Sequence, residues 1–292
     1  MVPSAPAPVV LIPGRPQTLW RLPAVANFAL GGLGAGFYVV TAVASDFLPA
    51  PAITLASWLG PLLVLAGFAA VATEAGRPLR GARVLTRVAT SWMSREVWIG
   101  GAFAALALGE FVIPHSLARL GAAAAGAALI VAQGLIVRRA RGVAAWDVPL
   151  MPVTFLASGL VSGAGVYLLV AVAALDAPPD PRVLAAALGL LVLSAFTWLA
   201  YVTWSADPAF ADAVRPLREG PTARAIVWVG HAVPAGLLAL ALAVPLLAEP
   251  AATLAGALAL TVQLRVKAAL ILTAGRLRPI TVARLRLHRR VS

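Results

Sequence analysis

The stretch Asn27-Phe-Ala-Leu-Gly-Gly-Leu-Gly-Ala-Gly-Phe-Tyr38 admits two opposite readings. Its spaced glycines imitate a dinucleotide-binding turn, which needs a strand before it and a helix N-terminus facing a phosphate after it. Here the run lies inside an apolar segment, Leu22 to Ser45, and follows no strand. Helix packing accounts for it better. Gly32 and Gly36 form a G-x-x-x-G pair, whose missing side chains let a neighbouring backbone approach closely within a membrane. Gly159, Gly163 and Gly165 repeat the device further along the chain.

Composition agrees with that choice. The chain has 292 residues, 61% of them hydrophobic and 12% charged, with a mean hydropathy of +0.92. A soluble domain of this size needs far more polar surface to cover itself. The apolar runs are long and lack strand-type alternation, so the spans are helices rather than barrel strands. Scanning for roughly 20 apolar residues in a row gives an all-α integral membrane protein. It is an eight-helix bundle with spans near 22–45, 53–72, 93–112, 118–137, 150–174, 183–204, 225–247 and 251–274. Pro49, Pro51, Pro114, Pro178, Pro179, Pro208 and Pro250 punctuate the breaks. The organisation expected is a flexible tail over 1–20, a transmembrane domain over 21–275 and a basic C-terminal tail over 276–292. The first residues lack the pattern of a cleavable signal peptide.

Arginine sets the orientation. One set of connections holds Arg15 and Arg21, then Arg77, Arg80, Arg83 and Arg87, then Arg138, Arg139 and Arg141. It continues with Arg215 and Arg218 and ends with Arg276, Arg278, Arg284, Arg286, Arg289 and Arg290. The alternate connections hold Asp46, Asp176, Asp180 and Glu249, with Arg119 and Arg182. The alternation puts both termini in the cytoplasm. Seven of the eight tryptophans fall toward the basic face, as an aromatic belt would. The net charge of +12 therefore reflects topology and contact with anionic lipid, not nucleic acid. In the loop from Gly76 to Thr90 the helical spacing of Arg77, Arg80, Arg83 and Arg87 suits docking of an acidic partner.

The chain contains no cysteine, so it cannot supply thiolates to an iron–sulfur cluster or to a c-type haem. Of its three histidines only His231 lies within a span. No metal site is expected. The costly residues for a bilayer are the ionisable ones. Glu74 ends the second span and Glu96 begins the third, where Ser94 is the expected N-cap and the helix dipole favours a carboxylate. Deeper lie His231 in the seventh span and Gln263, Arg265 and Lys267 in the eighth. Gln263 and Lys267 share a helix face and Arg265 points elsewhere. Two cations so far from a helix end can hardly both reach water, so one should line a polar cavity or pair with a carboxylate, for which Glu110 is the candidate. Asn27, Tyr38 and Gln133 are the uncharged polar residues that could bond between helices or line a pocket.

Glu74-Ala-Gly-Arg-Pro-Leu-Arg-Gly81 follows one span, and Ser91-Trp-Met-Ser-Arg-Glu96 opens the next. With Asn27 to Tyr38 and the run from Trp146 through Pro152-Val-Thr-Phe155 to Gly163, this order resembles the membrane-anchor subunits of dimethyl sulfoxide reductase. It is similar also to the related polysulfide-reductase-type subunits. The resemblance covers about the first 170 residues. It implies an anchor in a bacterial inner membrane that binds a quinone, menaquinone or ubiquinone, with no metal of its own. The anchor passes electrons between the quinone pool and a ferredoxin-like iron–sulfur subunit docked with a molybdopterin catalytic subunit. Glu96 then takes the place of the family's quinol-site glutamate as proton acceptor. Arg95 holds Glu96 ionised or steadies the quinone oxygen, Glu74 relays protons, and Asn27, Tyr38, Ser91 and Trp92 line the quinone site. The sequence departs from the family where Glu74 stands in place of a histidine, Ala75 in place of a leucine and Gly81 in place of an alanine. Two other classes fit the composition: a secondary transporter of an anionic solute, and a purely structural membrane anchor.

Overall fold

The computed structural model describes residues 9–73, 84–175 and 179–282. Among them, seven helices are long and apolar enough to cross a membrane. They are α1 (Leu22–Val43), α2 (Ala50–Ala72), α4 (Ser116–Arg139), α5 (Met151–Leu175), α6 (Pro181–Val202), α8 (Gly220–Ala243) and α9 (Pro245–Thr273). A further helix of 21 residues, α3 (Trp92–Val112), falls between α2 and α4. It is not among those seven, and it carries Arg95, Glu96 and Glu110. The connection expected after the sixth span contains an amphipathic helix, α7 (Pro208–Arg218). Its face of Phe210, Ala213, Val214 and Leu217 is buried, while Asp212 and Arg215 stay exposed.

Helix α1 is the most buried of the seven, and its glycines explain how. A Cβ on Gly34 would overlap the carbonyl oxygen of Gly60 in α2, and one on Gly36 would overlap that of Gly159 in α5. From the other side, a Cβ on Gly163 would strike Gly36. The pair Gly32 and Gly36 thus crosses the pair Gly159 and Gly163 backbone to backbone, which is the packing expected of small residues in a bilayer. Gly165 meets a different helix, α9, where its Cβ would lie 2.9 Å from the oxygen of Gly256.

The arginine-rich ends of these helices are closed by the two chain ends. Strand β1 (Val9–Ile12) pairs antiparallel with β2 (Ile280–Val282), Val9 facing Val282. The pairing continues inward: Gln17 N donates to Gly275 O at 2.8 Å, and Leu277 N to Arg15 O at 2.8 Å. Arg278 N donates to Gly142 O, also at 2.8 Å. The separate tails expected over 1–20 and from 276 onward are therefore one joined segment where the structure describes them. Backbone donors that a free tail would leave to water find partners in each other instead. Ion pairs from Arg278 to Asp207 (2.6 Å) and Asp147 (3.7 Å), and from Arg276 to Asp212 (3.7 Å), hold the segment against the bundle. Trp146 is not a lipid-facing belt residue. It is buried, stacks on Trp20 at 4.8 Å and donates its indole N–H to Leu270 O at 2.9 Å. At the opposite end Asp180 caps α6 by accepting from Arg182 N at 2.7 Å. That bond, with the guanidinium beside it, holds the carboxyl below the usual aspartate range.

Replacing Gly36 by leucine should force α1 away from α5 and lower stability by about 1–3 kcal/mol or more. Thermal unfolding of the purified protein in detergent measures it. An unchanged transition would mean that the crossing does not depend on close backbone approach.

Candidate functional site

Helix α3 is capped by Ser91, whose hydroxyl accepts from Ser94 N at 3.3 Å, and not by Ser94. Glu96 therefore lies beyond the first turn, where the dipole of the helix end no longer accounts for it. Its side chain turns inward and is 5% exposed. Its Oε1 accepts from Asn27 Nδ2 of α1 at 3.0 Å and from Gln133 Nε2 of α4 at 3.1 Å. Gln133 Nε2 also reaches Asn27 O at 3.3 Å. These three helices are drawn together by one carboxylate and two amides. Glycine again makes the room: a Cβ on Gly31 would collide with Gln133 Nε2. No hydrogen bond reaches Asn27 Oδ1 or Gln133 Oε1, although both atoms are buried.

Arg95 does not pair with Glu96. Its guanidinium donates to Val88 O at 2.9 Å and to Ala89 O at 2.8 Å, and lies 4.4 Å from the centre of the Trp92 ring. Successive helical residues point about 100° apart, so neighbours in sequence cannot share a face. Arg95 instead lines a cleft of about 440 Å³ together with Trp20, Ser91, Trp92, Met93, Ile136 and Arg139. Met93 and Ile136 lie one turn from Glu96 and Gln133 on the same two helices, so the buried carboxylate sits one turn below the cleft. Cavities of this size, with aromatic walls and a few polar groups, suit small organic ligands.

The remaining polar residues divide between two levels. Near the basic end Lys267 is 2% exposed and donates to Ser158 Oγ at 3.0 Å. Arg265 is exposed on the opposite face of α9. His231 Nε2 meets Ser194 Oγ at 3.2 Å and its Nδ1 meets Ile226 O at 2.8 Å, within a π-helical turn, Ala225–Ala232. Gln263, Ser158, Ser194, Thr197 and His231 surround a void of about 10 Å³, close to the space one water needs. Asn27, Glu96, Gln133, Ser158 and Lys267 all lie between one and two turns in from their helix ends. They form a polar layer through an apolar bundle. At the far level, Glu110 is not the partner of Lys267. It binds Arg119 at 2.5 Å, accepts from Ser57 Oγ at 3.2 Å and is met by the hydroxyl of Tyr38. Tyr38 accordingly lies in this cluster, away from the cleft.

Glu74, Arg77, Arg80 and Arg83 lie outside the described residues. Arg87 is exposed, and its carbonyl accepts from Ser91 N at 2.9 Å at the start of α3. Sequence reasoning did not single out Trp20, Arg139, Ser158 or Ser194. Ser158 precedes Gly159 in a run rich in small residues, and a hydroxyl there passes for packing.

With the cleft and the buried carboxylate beneath it in view, the comparison with known families bears directly on them. Residues 19–144 match the family model of the DMSO reductase anchor subunit (DmsC). That DmsC match spans α1 to α4 and contains Asn27, Ser91, Trp92, Arg95, Glu96 and Gln133, so the resemblance to membrane-anchor subunits holds over the part of the chain that builds the cleft. It ends before Ser158, His231 and Lys267. No curated protein matches the chain.

Replacing Gln133 by leucine removes one of the two donors to a buried carboxylate. A destabilisation of about 1–3 kcal/mol is expected, read as a lower unfolding temperature. An unaltered temperature would show that the Gln133 bond contributes nothing.

Proposed function

We propose that this chain is the quinol-handling membrane anchor of a molybdopterin oxidoreductase, passing electrons between the quinone pool and an iron–sulfur partner subunit. The observation that carries the reading is Glu96, buried between two amides one turn below the cleft in the segment that matches DmsC. On this reading all eight long helices, α3 included, cross a bacterial inner membrane. Both chain ends lie on the cytoplasmic side, as the arginine distribution favours. The iron–sulfur subunit, with the molybdopterin subunit behind it, docks over the same basic face, where Arg87 and the loop containing Arg77, Arg80 and Arg83 are the candidate contacts.

The cleft residues fit a quinone. Trp20 and Trp92 provide flat apolar walls, and Ser91, Arg95 and Arg139 provide hydrogen-bond donors. A bound quinol supplies two electrons and two protons on oxidation. Glu96 accepts one of these protons, and the other leaves to water through the open cleft. Asn27 and Gln133 fix the carboxylate through Oε1, and no hydrogen bond from a described residue reaches Oε2, which is the atom left to take the proton. Arg95 is tied by Val88 O, Ala89 O and the Trp92 ring, so its charge stays in the cleft wall and orients a ligand oxygen. With no cysteine in the chain, the electrons leave to the partner's clusters.

In the assembled complex Glu96→Gln should leave subunit association intact and slow quinol-linked turnover by on the order of 10²–10⁴-fold. Wild-type turnover in that variant would reduce Glu96 to a helix-packing residue. A photoreactive quinone should label the segment around Ser91 and Trp92, and labelling confined to other helices would move the site.

A further inference from the structure

Lys267 is the most costly residue of the bundle that the quinol reading leaves without a task. It is 2% exposed, it donates to Ser158 Oγ, and no carboxylate of the described residues lies within ion-pair distance of it. An unpaired ammonium at this depth is expensive. Across α1 the complementary problem appears: Glu96 is 5% exposed, is held by amides alone, and likewise has no ion-pair partner among the described residues.

Gln133 stands between the two. Its Nε2 donates to Glu96 while its Oε1, fully buried, has no hydrogen bond. A Cβ placed on Gly32 would lie 3.0 Å from Lys267 Nζ and 3.8 Å from that same Gln133 Oε1. The ammonium and the unpartnered amide oxygen therefore flank one point beside Gly32, where α1 offers no side chain. We infer that Glu96 and Lys267 are an amide-bridged charge pair, with Gln133 donating to the carboxylate at one end and accepting from the ammonium at the other. The lysine chain is flexible enough to close the remaining gap by rotating its terminal bonds.

The elements around Lys267 present few competitors for its charge. Residues Asn27 and Gly32 of α1, Gln133 of α4, and Thr154 and Ser158 of α5 are uncharged. His231 of α8 is the other titratable group in this layer, and it is engaged with Ser194 and Ile226. Lys267 is a positioning residue in this arrangement. It balances Glu96 while the carboxylate is ionised, and each proton that Glu96 takes up leaves the ammonium without its counter-charge. The inference rests on the quinol reading only for the origin of that proton; the pair itself is a property of the folded chain.

A double-mutant cycle on the purified full-length protein tests it without quinone. Lys267→Met, close to lysine in volume, should lower the unfolding temperature by roughly 2–4 °C in the wild-type background, and by clearly less in the Glu96→Gln background. Lys267→Arg should recover part of the loss, and Gln133→Leu should abolish the coupling. A Lys267→Met protein that folds only together with Glu96→Gln would support the pair equally. Additive effects, or failure of Lys267→Met to fold in both backgrounds, would overturn it. Coupling found alongside full quinol turnover in Glu96→Gln would leave the charge pair standing and remove the quinol reading.

Discussion

Close backbone contact at α1 is the constraint on which the rest of the structure depends. In a bilayer there is no hydrophobic gain in pressing helix on helix, so association must come from contact area and from polar groups that find each other. The glycines of α1 serve both needs. Gly34 and Gly36 bring α2 and α5 to backbone distance, while Gly31 and Gly32 open space that Gln133 and Lys267 fill. One helix thus carries tight packing at one level and polar accommodation a turn away.

That division explains why the polar groups sit in layers. A buried amide or carboxylate is stable only where partners from other helices converge. Asn27 and Gln133 converge on Glu96 near the basic end, and Tyr38, Ser57 and Arg119 converge on Glu110 near the other. The two glutamates of α3 are therefore differently provided for: Glu110 has a cation and Glu96 has amides. Glu110 meets its guanidinium directly, whereas the described groups that touch Glu96 are neutral amide donors. This difference, more than depth, distinguishes the two carboxylates.

Much of this was legible from residue type, and the errors share a physical origin. Seven apolar spans followed from hydropathy, and the packing role of Gly32 and Gly36 followed from their spacing. Glu96 was recognisable because a carboxylate in an apolar segment is costly. The helix-cap and Arg95-pairing readings around it fail because they rest on local sequence alone. Ser91, not Ser94, caps the helix, and Arg95 turns away from its neighbour. The assignment of Glu110 to Lys267 fails likewise, since partners across a bundle are set by helix order and rotation. The joined chain ends were hidden by the proline- and alanine-rich start. Val9-Val-Leu-Ile12 and Ile280-Thr-Val282, rich in β-branched residues, carried the signal. Ser158 and Ser194 gave none, because a hydroxyl in a membrane helix commonly bonds its own backbone.

The ribbon joining Val9 to Val282 has a temporal meaning. Ribosomal synthesis delivers its first strand long before its second, so β1 must wait through the synthesis of the helices between them for the strand it pairs with. Its apolar residues, each more than half exposed even when paired, stay available to chaperones or to strands of other chains during that interval. Closure of the ribbon thus follows delivery of the described helices that lie between its two strands.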